Sequence, residues 1–384
     1  MRFEFATATR IIFGAGTLAE LGSIAKSMGT EALVCLGIPS DKAQALFATL
    51  IEHTVGSVTL AVPGEPDLDL VRRGVQRARN EGCELVIGFG GGSALDTAKA
   101  ISALLTNSGD LLDYLEVIGR GKPITVPPAP CIAIPTTAGT GAEVTRNAVL
   151  ASPEHHVKAS LRSPLLLPRV ALVDPLLTYS MPPAVTASTG LDALTQLIEP
   201  FVSARANPLA DGLCREGMQR AARSLRRAYE HGNDATARED MSLASLFGGL
   251  ALANAGLGAV HGIASVVGGM FPAPHGAVCA RLLPVVMAVN VRAMQQRQPE
   301  SSILRRYDEI ARLLTGRSGA AASDGVAWVQ QLCADLCIPP LSAYGMTTPD
   351  ILAVVGKALL ASSTKANPIA LTREEMGEIV ERAV

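Results

Sequence analysis

The 384-residue chain has few aromatics, little charge and no ordered arrangement of cysteines. Aromatic residues make up 4% of it, with a single Trp, so Ala, Val, Leu and Ile must fill any core. Charged residues are 18%, the formal net charge is −2, and Lys and Arg are scattered. Without a clustered basic face to neutralise phosphates, nucleic acid is excluded as the main partner. The seven cysteines are odd in number, and no pair has zinc-ribbon spacing. That argues against a disulfide framework and for a reduced, cytoplasmic setting. Cys333 and Cys337, four apart in a helical pattern, read as small buried apolar residues. Met1 to Phe5 alternates like a strand and has no signal-peptide core.

Met241 to Ala280 contains no Asp, Glu, Lys or Arg. It is longer than the roughly 20 residues a membrane span requires. Yet it is rich in Gly, carries Asn254, His261, two Pro and His275, and no basic flank marks an inside end. It is expected to be a buried helical hairpin, with no membrane partner.

At this length two domains are expected, at about 100–200 residues each. Residues 1–12 read as a strand, and short apolar strands follow at 31–37, 57–62, 85–89, 131–134 and 170–175. Amphipathic helices are predicted at 18–28, 41–53, 67–81 and 93–105. This alternation predicts a mostly parallel α/β sheet over residues 1–180. Residues 147–161 form an expected hairpin, with His155 and His156 solvated beside its turn. From 181 to 384 only helical patterns occur, at about 184–203, 206–229, 236–265, 275–295, 302–314, 322–336, 348–359 and 372–382, so the second domain is expected to be all-α.

Two loops at strand ends carry ligand-binding chemistry. Gly88-Phe89-Gly90-Gly91-Gly92-Ser93 follows a buried strand and opens a helix. Glycines admit a phosphate close to the backbone, and a helix N-terminus offers free N–H groups and partial positive charge. The loop lacks the GxGxxG spacing; a turn with Ser93 and Asp96 as a capping box is the plainer alternative. Thr136-Thr137-Ala138-Gly139-Thr140-Gly141 ends the next buried strand. Ligands of open α/β sheets bind at that edge, and two such loops suggest one long ligand such as a dinucleotide. In the helical half, Asp192 and Gln196 are four apart and share a helix face, and His261 and His275 are two of only six histidines. One carboxylate, one amide oxygen and two imidazoles make a four-ligand divalent site without thiolate. A hydrogen-bonded polar cluster and a helix-capping Asp192 are the alternatives.

These motifs together resemble the iron-containing (group III) alcohol dehydrogenase family, within the dehydroquinate synthase-like superfamily. The resemblance runs from Ile12-Phe13-Gly14-Ala15-Gly16, through Gly90–Lys99, Pro135–Gly141 and Leu172–Pro175, to Gly190–Leu194 and Pro274-His275-Gly276. It implies an N-terminal dinucleotide-binding domain and a C-terminal helical metal domain. It also implies a metal held by Asp192, His261 and His275, with Gln196 where a second-ligand histidine is usual. A further family histidine, implicated in proton relay, is replaced by Ser265. The catalytic set is then Asp192, His261, His275 and Ser265. Gly37, Gly91, Gly92, Ser93, Asp96, Thr136, Thr137, Thr140 and Lys158 fall at cofactor positions, with Lys158 as a solvated hairpin charge the alternative.

The implied activity is hydride transfer between NAD or NADP and a small polar alcohol or carbonyl substrate, with Fe²⁺ or Zn²⁺ as Lewis acid. Gly37 stands where the family often has an Asp that repels a 2′-phosphate, so both cofactors stay open. Ser265 is not a base near neutral pH, which leaves proton exchange to a ribose hydroxyl and water. A homodimer or larger homo-oligomer is implied. Two alternatives are a maleylacetate-reductase-like enzyme that needs no metal and a cofactor-binding paralogue with impaired catalysis.

Overall fold

A computed structural model describes residues 2–155 and 157–384. His156 therefore lies outside the described residues. The chain divides into two compact units: an α/β unit over Ala6–Thr137 and Gly141–Tyr179, and a helical unit over Ser180–Val384 that also takes Ala138–Thr140 and the segment ending at Phe5.

The α/β unit runs β1 (Arg10–Phe13), α1 (Leu21–Lys26), β2 (Glu31–Leu36), α2 (Gln44–Glu52), β3 (Gly56–Ala61), α3 (Leu68–Asn80), β4 (Leu85–Gly90), α4 (Gly92–Thr106), α5 (Leu111–Tyr114), β5 (Cys131–Pro135), β6 (Asn147–Ser152), β7 (Val157–Arg162) and β8 (Val170–Val173). Six strands form a parallel sheet in the order β1-β8-β5-β4-β2-β3, and β6 and β7 form a separate antiparallel hairpin. Side chains alternate across a strand. Ala32, Val34 and Leu36 accordingly pack with α1 and α2, whereas Leu33 and Cys35 pack with α3, α4 and the hairpin. Both faces are covered, which is why these strands read as continuous apolar runs.

The first strand is shorter than the alternation at the N-terminus suggests, covering only Arg10–Phe13. Its β8 partner is only four residues long, so little ladder is available to extend it. The expected 18–28 and 41–53 helices each begin as a 3₁₀ turn, at Thr17–Glu20 and Ser40–Ala43. Asp174 closes this end of the unit by accepting from the N–H groups of Gly16, Leu18 and Leu176.

Strand order reverses between β2 and β4, because β3 lies outside β2 while β5 lies on the far side of β4. The two strand ends meet there: Gly37 N–H donates to the Phe89 carbonyl at 2.9 Å. A Cβ on Gly90, whose φ is +153°, would stand 2.8 Å from Gly37 Cα. Such a reversal at the carboxyl edge is where open α/β sheets take their ligands.

The helical unit comprises α6 (Pro183–Val202), α7 (Pro208–Glu230), α8 (Ala235–Ala255), α9 (Ala259–Met270), α10 (His275–Arg297), α11 (Ser302–Thr315), α12 (Ala322–Asp335), α13 (Ile351–Ala358) and α14 (Arg373–Glu381). One apolar cluster, drawn from α6 through α14, forms its core. The continuous helix expected over 236–265 is two helices bent by 101°. The break falls at Gly256-Leu257-Gly258, where Gly256 has φ +75°. The charge-free stretch is thus folded back on itself inside the core. His275–Arg297 is long and apolar enough to cross a bilayer, but 78% of its most apolar window is buried within the protein. Cys333 is buried as expected, but Cys337 is exposed, with φ +53°, because α12 ends two residues earlier.

Glu143 offers a test of burial in the α/β unit. It is 2% exposed, and burial raises its pKa to about 7 against the opposing effects of its own backbone N–H and Lys99. A carboxyl so raised favours the folded state most below its unfolded pKa of about 4.3, and that contribution is lost as pH rises through about 7. Glu143→Gln is expected to melt close to wild type at pH 5 and clearly above it at pH 8. Equal shifts at both pH values would show that Glu143 does not titrate in the folded protein.

Candidate metal centre and cofactor loops

The metal centre is assembled within the helical unit from α6, α9 and α10. On α6, Asp192, Gln196 and Glu199 recur at i, i+4 and i+7, so one stripe carries all three. They are 1%, 3% and 5% exposed. On α9, His261 is the third residue after the break. On α10, His275 is the first residue, and Cys279 follows one turn later on the same side.

One donor atom from each of Asp192, His261, His275 and Cys279 lies within 4.8 Å of the others. Asp192 Oδ1 stands 3.5 Å from His261 Nε2 and 3.9 Å from His275 Nε2. Cys279 Sγ is 3.6 Å from His275 Nε2. Asp192 Oδ1, Gln196 Oε1 and His261 Nε2 are buried with no hydrogen-bond partner among the described residues. Burying such atoms unpaired costs several kcal/mol for a charged group, so convergent orphaned donors fit a cation. The titration behaviour agrees. Burial favours neutral Asp192, yet His261, His275 and Cys279 outweigh it and hold its pKa below the usual carboxylate value. Burial likewise disfavours a charged His261, yet Cys279, Asp192 and Glu199 push its pKa well up.

Glu199 and Cys279 were not among the residues read from the sequence as ligands or supports. Glu199 Oε2 accepts from His261 Nδ1 at 2.7 Å, and its Oε1 accepts from Val260 N–H at 2.7 Å. With Nδ1 donating, the Nε2 lone pair is left facing Asp192, which is the tautomer a metal needs. The close packing requires glycine at 258, since a Cβ there would meet Glu199 Oε1 at 2.8 Å. Asn367, near the C-terminus, accepts from Ala259 N–H at 3.1 Å and donates to Asn290 Oδ1 at 2.8 Å. The start of α9 is thereby held from two sides. A signal for both missed residues was present: an acid seven residues after Asp192 in an apolar helix, and a thiol four after His275. Ser265 sits one turn beyond His261 on α9 and is exposed; its hydroxyl donates to the Gly262 carbonyl at 3.0 Å.

In the α/β unit, Gly91, Gly92 and Ser93 are half-exposed at the start of α4. Gly91 is the N-cap, and no side chain caps the helix, so the capping box considered for Ser93 and Asp96 is not formed. Asp96 instead accepts from Val149 N–H at 2.9 Å and pairs with Lys99 at 2.8 Å. The buried Lys99 ammonium also donates to the Ala142 and Asn147 carbonyls and to Thr145. Asp96 and Lys99 therefore tie α4 to the hairpin. Thr137 adjoins Gly91, its side chain 3.5 Å from where a Cβ would stand. Thr136 N–H donates to the Gly90 carbonyl, while Thr140 falls within the segment that packs with the helical unit. Gly37 has little room on its side-chain side, because a Cβ would stand 3.0 Å from Ala94 Cβ. Packing accounts for this glycine without reference to a 2′-phosphate. Lys158 is not a solvated hairpin charge: its side chain is 7% exposed and pairs with Glu65 at 3.0 Å. His155 is exposed and its Nδ1 lies 2.8 Å from Ser152 Oγ.

A parallel α/β sheet with a glycine-opened helix, and a helical unit holding an Asp–His–His–Cys cluster, define a nucleotide-type fold joined to a metal-site fold. Comparison with known proteins agrees. Residues 8–175 match the profile "Iron-containing alcohol dehydrogenase", and residues 186–384 match "Fe-containing alcohol dehydrogenase family, C-terminal". The chain belongs to the iron-containing alcohol dehydrogenase family. It is 33% identical over 379 residues to alcohol dehydrogenase 4 of Schizosaccharomyces pombe, covering 97% of this chain and 87% of that protein. It is 33% identical over 395 residues to 1,3-propanediol dehydrogenase of Klebsiella pneumoniae, covering 99% and 98%. The crystal structure of sulfoacetaldehyde reductase from Bifidobacterium kashiwanohense in complex with NAD+ superposes with a TM-score of 0.87 at 28% identity, covering 100% and 99%. The relatives are oxidoreductases acting on alcohols, and the chain is an enzyme of that kind. Neither the metal-free maleylacetate-reductase-like reading nor the impaired paralogue is favoured, given these relatives and the donor cluster.

The Glu199 contact is testable. Glu199→Gln is expected to weaken divalent-metal binding by about 10–100-fold, the range for supports of a liganding histidine, without loss of fold. Equilibrium dialysis followed by elemental analysis measures it; unchanged affinity would remove Glu199 from the metal centre.

Proposed function

We propose that the protein is a metal-dependent, nicotinamide-linked alcohol dehydrogenase or aldehyde reductase acting on a small polar alcohol or its carbonyl partner. The observation that supports this reading most strongly is the convergence of Asp192, His261, His275 and Cys279, with orphaned buried donors among them. A divalent ion, Fe²⁺ or Zn²⁺, would be held by Asp192, His261 and His275, with Gln196 Oε1 as a further weak oxygen donor. When bound, the ion supplies Lewis-acid stabilisation of negative charge on a substrate oxygen, and the nicotinamide supplies or accepts the hydride.

The chain's own residues do the rest. Glu199 sets the His261 tautomer, and Asp192 supplies the negative charge that retains the cation. The half-exposed Gly91, Gly92 and Ser93 at the α4 N-terminus favour an anionic phosphate. Thr136, Thr137, Thr140 and Lys158 are assigned to the cofactor on the family resemblance, and Asp96 to positioning that loop through Lys99. Ser265 lacks a neighbouring base in its hydrogen bonding and is assigned to solvent or substrate contact. NAD is favoured by the NAD+ complex of a relative, and NADP is the alternative. A homodimer or larger assembly follows from the resemblance. A reducing, cytoplasmic setting is inferred from the odd number and irregular spacing of the seven cysteines in the sequence.

Chelator-stripped protein reloaded with Fe²⁺ or Zn²⁺ is expected to oxidise NADH or NADPH with short polar aldehydes. Asp192→Asn should fall to the activity of the stripped protein. Equal turnover by stripped and reloaded wild type would overturn metal dependence, and tighter binding of NADPH than NADH by fluorescence titration would reverse the cofactor preference.

A further inference from the structure

We propose that Cys279 is a thiolate ligand of the metal in this chain, filling the coordination place that glutamine at position 196 leaves weak. The inference rests on the metal dependence proposed above and names the donor set.

Three observations carry it. Cys279 Sγ shares the 4.8 Å cluster with the donor atoms of Asp192, His261 and His275. Its 3.6 Å separation from His275 Nε2 is close to the roughly 3.5 Å expected when sulfur at about 2.3 Å and nitrogen at about 2.0–2.1 Å share one metal at a near-tetrahedral angle. Independently, Asp192 Oδ1 and His261 Nε2 in the same cluster are buried and have no hydrogen-bond partner among the described residues, so the thiol lies beside two further convergent donors.

The chemistry of substitution points the same way. An amide oxygen is a weak neutral donor, whereas a thiolate is strong and negative. With Asp192, His261, His275 and Cys279 the number of protein donors equals that of an Asp–His–His–His set. The charge of a divalent site falls from +1 to zero. Binding breaks the Cys279 S–H bond, forms a sulfur–metal bond and releases the proton to solvent. A sulfur donor also biases the site toward thiophilic Zn²⁺ over Fe²⁺.

The test uses full-length protein stripped with chelator and loaded with Co²⁺ as the probe. Wild type is expected to bind one Co²⁺ per chain and to show an intense near-ultraviolet thiolate-to-cobalt charge-transfer band. Gln196→Ala should keep the band. Cys279→Ser and Cys279→Ala should lose it, hold Zn²⁺ more weakly by about tenfold or more, and release one proton fewer per metal bound. Wild type that binds Co²⁺ without the band, or either Cys279 variant that retains it, would overturn the proposal. Because the wild-type spectrum is itself decisive, misfolding of a variant does not protect the idea. Wild type that takes up no Co²⁺ at all would overturn the metal reading together with it, and the binding stoichiometry separates that failure from a site that binds through other donors.

Discussion

The helical unit is organised around a carboxylate that has been taken out of water. Asp192 lies in the middle of a long helix, 1% exposed, and among the described residues no Lys or Arg pairs with it. An isolated buried charge is too costly to keep unless something positive meets it. The imidazoles of His261 and His275 are brought to it from two other helices, and each has its pKa raised there against the opposing effect of burial. An imidazole binds a metal only through an unprotonated nitrogen, so proton and metal would compete for this cluster. The packing of α6, α9 and α10 is what makes that exchange possible.

The bend between α8 and α9 follows from this requirement. A straight helix through 236–265 would satisfy its backbone internally but would carry His261 away from Asp192. Breaking it leaves the first N–H groups of α9 without intrahelical partners. Glu199 takes Val260 N–H and Asn367 takes Ala259 N–H. Glu199 thus caps a helix and orients the His261 ring with one carboxylate, coupling backbone satisfaction to imidazole geometry.

Much of this was legible in the sequence. Apolar runs alternating with amphipathic helices predicted the parallel sheet, and the uninterrupted helical patterns after residue 180 predicted the second unit. Asp192, His261 and His275 could be named because their motifs are local. What escaped reading depends on contacts distant in sequence. The break at Gly256-Leu257-Gly258 looks like tolerated helix glycine until Glu199 is seen against Gly258. Cys279 looks like a small core residue until its sulfur is seen 3.6 Å from His275 Nε2. Lys158 and Gly37 carried meanings suggested by resemblance, but their surroundings, an ion pair with Glu65 and close packing on Ala94, are three-dimensional facts.

The tie between Ala259 and Asn367 spans 108 residues of sequence. Asn367 also donates to Asn290 Oδ1 and to the Ile369 carbonyl, both at 2.8 Å. One amide side chain therefore pins the first turn of α9, the middle of α10 and the segment before α14 to a common point. A residue that touches none of the clustered donors thus limits how far His261 can move against His275, and loss of its side chain would leave a buried backbone N–H unpaired.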